Sequence, residues 1–482
     1  MGWISNLRKG TDLPTWDWLA FFPPGSSYHG TDHAYDGSRY MYWLIQYGST
    51  GAASTTTLYR FDTWTEGWQY LATNTSGYTG ISLEYDGVRN VLYLTSGNAL
   101  TEWRVFNLNL TAVTIANVVC NPFVFTTITT VLPAAAGLGA GLTLVADQAT
   151  DPAITGTASG GTTTTITNSA YVFTQAHVGM AVRITSGALS GQRRTISAVS
   201  TDGITATVPV AFASAVTNGT TFTVEYAQGT ASAGAVGTLT DSTQSWVTNI
   251  YSNFDVVITG GTGVGQRRRI ASNTGTILTL ATAVTGNART GNFATAPDAT
   301  STYKIVPSSD FLYYNSGTNG TGFYKIDVAT GANATTWTTL AVTPAGINGG
   351  GGIQQGKTQN PYVLYLMRGT ATANIYQYNI GLNTWTSLPT TYFVSETLDT
   401  GASMCVMENE NRLLILKNSQ TRLLAYRLSD GGVEPAGTMP YAAPAAYDGK
   451  RLCYVVTVDG VKWVYVLRAG GQEFFRYAIE WM

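Results

Sequence analysis

Tyr35-Asp36-Gly37-Ser38-Arg39-Tyr40-Met41-Tyr42-Trp43-Leu44-Ile45 is the stretch whose reading decides the fold. Its opening tripeptide returns at Tyr85-Asp86-Gly87 and Tyr447-Asp448-Gly449, and the first two copies stand 50 residues apart. A basic residue and an apolar run follow each copy: Arg39 to Ile45, Arg89 to Leu94 and Arg451 to Val456. Degenerate copies lie at Asp310–Tyr314, Asn360–Met367 and Asn411–Leu416, which makes six. A second strand-like run trails each one: Leu58–Asp62, Trp103–Asn107, Phe323–Asp327, Ile375–Asn379, Ala425–Ser429 and Trp463–Leu467. A turn follows, often with a tryptophan: Trp68, Trp337 or Trp385.

A period near 50 with several strands per repeat is the pattern of a β-propeller blade. The first run of each repeat is apolar on both faces, as a strand sandwiched between neighbours must be. No sustained 3.6-residue pattern exists, so no helix longer than a turn or two is predicted. The expected fold class is all-β.

Composition agrees. The chain has 482 residues, 53 of them Gly and 28 Tyr, and only 11% are charged. An ordinary soluble protein is about 25% charged. The net charge of -2 excludes a nucleic-acid binder driven by bulk charge. A low-charge β protein suits a large assembly whose surface is covered by neighbours. The three cysteines, Cys120, Cys405 and Cys453, have no metal-ligand spacing and predict reduced, structural thiols. Asp12, Pro14 and Asp17 interrupt the first 22 residues, so no secretory leader is expected. The most apolar run, Val131 to Ala146, falls short of the roughly 20 residues that span a bilayer.

Tyr378-Asn379-Ile380-Gly381-Leu382-Asn383-Thr384-Trp385-Thr386-Ser387-Leu388-Pro389 resembles the kelch repeat, in which an aromatic and Asp or Asn, a turn, then Trp and Leu-Pro end a blade. Phe61 to Leu71 resembles it again. The kelch double glycine is eroded, with Tyr47-Gly48 and Arg368-Gly369 as remnants. The resemblance covers about residues 12–125 and 305–482 and implies a kelch-like propeller of six blades. The chain stops soon after the last repeat. Pro14 to Pro23 looks like a blade-ending strand, so the N-terminal segment is expected to complete the last blade and hide its edge.

A second duplication interrupts the first. Gly156-Thr157-Ala158-Ser159 matches Gly229-Thr230-Ala231-Ser232, and Gly191-Gln192-Arg193-Arg194 matches Gly265-Gln266-Arg267-Arg268. Val182 to Gly187 aligns with Val256 to Gly261, and the copies are 73 to 74 residues apart. The organisation predicted is 1–128 for the first part of the propeller with its closing strand and two blades, 129–228 for a first inserted β module with linker, 229–305 for a second, and 306–482 for the remaining four blades. The module pair is expected to project from the propeller, as a spacer or as a contact to a neighbouring subunit.

The second copy, with Trp246, Val256–Ile258, Gly261 to Ile270 and Asp298 to Ile305, resembles a module recurrent in structural proteins of tailed-bacteriophage virions. The resemblance implies a virion part assembled in the host cytoplasm, with other virion proteins or further copies of itself as partners. It implies no chemistry. Mechanically, the motif reads as a tight glycine turn between strands, with Gln capping loop amides and Arg packing its stem. It lacks the Lys and following helix of a phosphate loop. Arg267, Arg268 and Arg269 are too few in a net-negative chain to argue for nucleic acid.

Chemistry is sparse. His29 and His33 have i,i+4 spacing, beside Tyr28, but the other histidine, His177, lies in the insertion, and loop histidines are the better reading. No Gly-x-Ser-x-Gly elbow occurs. Glu66, Glu84, Glu102 and Glu396 are carboxylates available for glycoside hydrolysis, with nothing to single them out. No catalytic, cofactor or metal residues are therefore predicted. The loops Ser49–Thr57, Ser316–Gly322 and Gly349–Gly352 suit blade connections that bind sugars, with Tyr and Trp to stack on them. The bland alternative is that the aromatics fill gaps between blades. The function expected is a non-enzymatic scaffold of a phage tail, tail–neck region or appendage; the alternatives are a receptor- or glycan-binding appendage protein and, less favoured, a polysaccharide-degrading enzyme or copper oxidase.

Overall fold

The computed structural model describes residues 16–19, 32–47, 55–74, 80–97, 99–145, 152, 154–170, 173–329, 335–349, 351–356, 360–369, 372–389, 398, 402–407, 410–417, 421–439, 452–456, 460–467 and 474–479. It is all-β. Among these residues the helical turns are two short 3-10 turns, Gln175–His177 and Gly187–Leu189.

Outside the insertion, six four-stranded antiparallel sheets succeed one another. The first runs Asp32–Tyr35, Tyr40–Tyr47, Thr55–Asp62 and Gly67–Asn74. The second is Leu83–Asp86, Val91–Thr95, Trp103–Asn107 and Phe125–Thr127. The fourth begins at Gly352–Gly356 and the fifth at Ser403–Met407. The first, fourth and fifth are meanders in chain order, because short turns between antiparallel strands keep sequence neighbours paired.

The turns explain the repeats. Asp36 Oδ1 accepts the N–H groups of Ser38, Arg39 and Tyr40 at 2.8, 2.8 and 3.0 Å, and Asp86 Oδ1 does the same for Val88 and Arg89 at 2.9 and 3.0 Å. A short carboxylate that caps its own turn is why Asp recurs there. After the third strand the pattern repeats: Asp62 accepts from Trp64, Asn107 from Asn109, Asp327 from Ala329 and Asn379 from Leu382.

The third sheet is interrupted. Its inner strand, Gly141–Leu144, pairs with Phe311–Asn315, then come Phe323–Asp327 and Thr338–Thr339. The inserted modules thus occupy the turn between the inner and second strands of the third sheet. Gly141–Leu144 falls inside the 129–228 stretch that the sequence assigned to the first module. The strand sits in an Ala- and Gly-rich run that reads as a linker, and it begins at Gly141, which close approach requires: a Cβ there would lie 2.8 Å from both Asn315 Oδ1 and Ile353.

The sixth sheet is Leu452–Val456, Lys462–Leu467, Phe474–Ala478 and, from the other end of the chain, Trp16–Trp18. Trp16 pairs with Tyr477 and Trp18 with Phe475, and the Leu19 amide donates to the Phe474 carbonyl at 3.1 Å. The pairing of the chain ends matches the expected closing strand. Among the described residues Leu452–Val456 is innermost, whereas its repeat counterpart Tyr40–Tyr47 is a second strand. Tyr447 to Gly449 lie outside the described residues.

Buried side chains fall into clusters that lie between successive sheets. Met41, Trp43 and Phe61 of the first sheet pack with Cys453, Tyr465 and Phe474 of the sixth. Leu44 and Leu58 pack with Leu92 and Phe106 of the second. Further clusters join second to third, fourth to fifth and fifth to sixth. The tryptophans fill these gaps: Trp68 lies 5.1 Å from Phe474, Trp337 5.8 Å from Trp103, and Trp385 5.0 Å from Phe323.

The modules do not stand off as a spacer. Both share a cluster with the third and fourth sheets, in which Val182, Phe222, Val256 and Ile305 meet Tyr313, Phe323, Ile353 and Tyr362. Tyr362 donates its hydroxyl to the Ile305 carbonyl at 2.8 Å and accepts from the Ala227 amide at 3.2 Å. Each fully buried Val, Leu, Ile or Phe contributes about 1.5–3 kcal/mol, so this shared core dominates the attachment.

Candidate functional site

The two modules repeat one topology. In the first, Ile154–Thr157, Thr221–Glu225, Ala181–Ile184 and Arg193–Thr195 form one sheet, and Gly160–Gly161, Thr165–Thr167, Thr205–Thr207 and Ala198–Val199 another. In the second, the strand Arg267–Asn273 is continuous and fuses the two into a seven-stranded sheet.

The glycine motif works as a turn. Gly261, Gly263 and Gly265 all have positive φ, and a Cβ on Gly261 would sit 2.0 Å from the Thr300 carbonyl oxygen. Gln266 Nε2 donates to the carbonyls of Gly263 and Thr295 at 3.1 and 2.9 Å, and its Oε1 accepts the Thr295 amide at 3.0 Å. Gln192 repeats this with Ala213. Arg268 donates to the Asn292 carbonyl, as Arg194 does to Ala211.

Register separates the two faces of the second module. Val256 pairs with Arg268 and Ile305, and the apolar Val256, Ile258, Tyr303 and Ile305 form its core. On the opposite face Val257 lies between Arg267 and Lys304. That face carries Arg267 and Lys304, and it looks across a cavity toward the inner strands of the six sheets.

Side chains tie those inner strands together. Asp32 Oδ2 accepts the Leu83 amide at 2.8 Å, Ser82 Oγ accepts the Leu142 amide at 2.8 Å, and Gln354 bonds the Met404 carbonyl and Val406 amide at 3.1 and 2.9 Å. Between them and the module lies a cavity of about 710 Å3. Every one of the six sheets lines it through its inner strand, and the module contributes Val257, Thr259, Arg267, Lys304 and Val306.

A buried ion network clamps the module beside this cavity. Asp255 accepts from Arg267 and Arg289 at 2.7 and 3.1 Å. Arg269 reaches Asp310 at 2.6 Å and also binds Asp327. Arg89 binds Asp86 at 2.8 Å and Asp310, which joins the second sheet to the third. Burial alone would raise the Asp310 pKa, but the guanidiniums of Arg289, Arg89 and Arg269 outweigh it and hold the carboxyl below its usual range. Lys325 lies 4.2 Å from the Phe311 ring, and burial, then the Arg269 charge, push its pKa down to about 7.

The first module lacks this clamp. By register, Ala181, Thr195 and Thr223 stand where the second has Asp255, Arg269 and Lys304. Its Arg183 and Arg193 are instead both neutralised by its own Glu225. That difference between copies is the sequence signal for the site; Asp255 lies just outside the quoted motif segments, and Lys304 falls at a position within Asp298 to Ile305 that the motif leaves open.

The residues singled out from sequence scatter. His33 lines the cavity, stacked 4.8 Å from Trp43, while His29, Tyr28 and Glu396 lie outside the described residues. His177 is buried in the first module, accepts the Thr174 amide at Nδ1, 3.3 Å away, and has its pKa held down at about 3 by burial. Glu84 lines the cavity. Glu66 pairs with Arg476 of the sixth sheet at 2.5 Å, and Glu102 with Arg104 at 2.6 Å. Arg267 and Arg269 are committed to carboxylates and Arg268 to carbonyls. None of the three cysteines is in a disulfide, and all are buried. Among the described residues no group of three His, Cys, Asp or Glu is placed to hold a metal ion, and no helix is long and apolar enough to cross a membrane.

No protein-family model matches the chain, and no curated protein matches it. Among solved structures, a chain described as "Crystal Structure of Mitotic Checkpoint Complex" aligns at TM-score 0.38 with 8% identity, covering 99% of this chain and 97% of that one. Likeness of that degree carries no argument.

Proposed function

We propose that the six sheets are the blades of a kelch-like propeller closed by the N-terminal strand, and that the chain is a non-enzymatic structural protein of a tailed-phage virion. The virion reading rests on the resemblance of the duplicated module. What supports a scaffold role is how the recurring polar residues of both repeats are used. The repeat aspartates cap turns, the motif glutamines brace loops, and the arginines either close ion pairs or bind carbonyls. The propeller is a rigid body that docks through its rims, in the tail, tail–neck region or an appendage, with other virion proteins and copies of itself as partners.

Light scattering coupled to gel filtration tests this reading. The purified chain is expected to form a symmetric oligomer. A strict 51.3 kDa monomer that cleaves host polysaccharide would overturn it.

A receptor- or glycan-binding role is the second reading, favoured by one observation. Trp64 is 66% exposed on the first sheet's rim, with the Arg39 guanidinium 4.6 Å from its ring and Tyr70, 57% exposed, on the same sheet. Loss of host-glycan binding in Trp64→Ala would support that role.

A further inference from the structure

We propose that the outer edge of the second sheet is the surface through which two copies of this chain meet about a two-fold axis. From Val105 to Ala146 the sequence holds no Asp, Glu, Lys, Arg or His, in a chain that is 11% charged. That stretch builds the end of the third strand, the hairpin of Val113–Ile115 with Val118–Cys120, and the outer strand Phe125–Thr127. The hairpin turns Ile115 and Cys120 into the core between the second and third sheets, so the paired Thr114 and Val119 face outward. Leu110 is 87% exposed, Val119 60%, and Phe123 and Val124 46% each. Buried Asn107 gathers these segments onto one surface. Its Nδ2 donates to the carbonyls of Thr111 and Cys120 at 2.8 and 2.9 Å, and its own carbonyl accepts the Phe123 amide at 2.8 Å. Leu110 and Val119 are chain neighbours of Thr111 and Cys120.

The backbone points the same way. Phe123 has φ 55°, a left-handed conformation that is costly for a bulky residue. Within one chain that cost leaves the ring half exposed. Among the described strands, Phe125–Thr127 pairs only with Trp103–Asn107, so its outer edge is free. Clustered exposed apolar side chains mark contact surfaces, and the core of an interface is depleted in charge. Charge also decides the occupant. A two-fold contact lays a patch on its own copy, and a patch of one sign would repel itself there. This patch has no charge to repel. A charged partner would lose its hydration here and find no counter-charge. The chain itself supplies an uncharged apolar counterpart, a second copy of this stretch. The outer edges of the first, fifth and sixth sheets carry ion pairs instead: Glu66 with Arg476, and Arg427 with Asp430 and Glu434. The inference rests on the symmetric-oligomer reading above and adds the surface that carries it.

Sedimentation velocity over a concentration series of the full chain tests it. The wild-type chain is expected to dimerise, or to form a larger assembly built of dimers. Val119→Asp sets a carboxylate against its own copy and should raise the dimer dissociation constant by at least about tenfold. Val119 is exposed, so at dilutions where both proteins are monomeric the variant's melting temperature should stay close to that of the wild type. Asn accepts the left-handed conformation more readily than Phe. Phe123→Asn should therefore weaken the dimer while raising the melting temperature of the dilute monomer, a split that a purely structural Phe123 would not give. Val264→Asp, at a 63% exposed site on the second module's glycine turn, should leave association unchanged. A wild-type oligomer whose mass survives both Val119→Asp and Phe123→Asn overturns this surface and leaves the oligomer reading standing. A wild-type chain that stays monomeric at every concentration overturns the proposal together with that reading. Equal loss of association in Val264→Asp and Val119→Asp overturns the surface as well.

Discussion

Asp36 and Asp86 are the same residue of the same tripeptide, yet their burial gives them different weights. Asp36 caps a half-buried turn at the cavity's edge. Asp86 caps the equivalent turn, is fully buried, and also holds Arg89 and the Tyr93 hydroxyl, each at 2.8 Å. Asp36→Ala should therefore cost about 1 kcal/mol, the loss of a half-buried hydrogen-bonded cap. Asp86→Ala should cost about 3 kcal/mol or more, because it strips one partner from a buried guanidinium. Urea denaturation of the two variants checks the difference. The turn role was legible in the sequence from the Tyr-Asp-Gly recurrence. The partner Asp310 was not, since it lies 221 residues from Arg89. Lys325 gives a pH signature. Its pKa near 7 lies below the roughly 10.4 of an unfolded lysine, so between those values the unfolded state binds more protons and stability rises with pH. Below pH 7 the cost of burying the charge is present in full. The charged groups around it, Arg269 and Asp327, are fixed to each other, and its ammonium lies over the Phe311 ring. Lys325→Met should raise the melting temperature at pH 6, and the gain should shrink as pH climbs toward 10.

At the scale of elements, the duplicated module shows how a few residues decide where a unit docks. Arg269→Thr installs the first module's residue in the second. It leaves Asp310 with Arg89 and Arg289 but removes the guanidinium from Asp327, which keeps Asn287 at 3.2 Å. The expected loss is about 3 kcal/mol, with faster amide exchange in Phe254–Gly260 and Arg267–Asn273. The shared apolar core should keep the module attached, so exchange elsewhere should change little. The duplication and its glycine turn were plain from spacing. Docking was not: the alignment places Ala181 opposite Asp255, but the partners of Asp255's neighbour Arg269, Asp310 and Asp327, lie in another sheet far along the chain. The inner strand Gly141–Leu144 was hidden for a related reason. Tight packing between sheets selects glycine and small residues, which read as a linker.

For the whole molecule, the six repeats predicted six sheets, and the apolar second strands predicted cover on both sides. What the sequence could not carry was the position of the insertion within a sheet rather than after one, and the cavity it creates over the inner strands. Both depend on contacts among segments far apart in the chain. The proposed propeller requires the six sheets to close into a ring, with the N-terminal strand sealing its seam. Hydrogen–deuterium exchange across that seam tests it most directly. Amides of Trp18, Leu19 and Phe474–Ala478 are expected to be protected and to open together with Lys462–Leu467, as one cooperative sheet. Rapid exchange at Trp18 and Leu19, with the neighbouring strands still protected, would contradict it and leave the sixth sheet with an open edge.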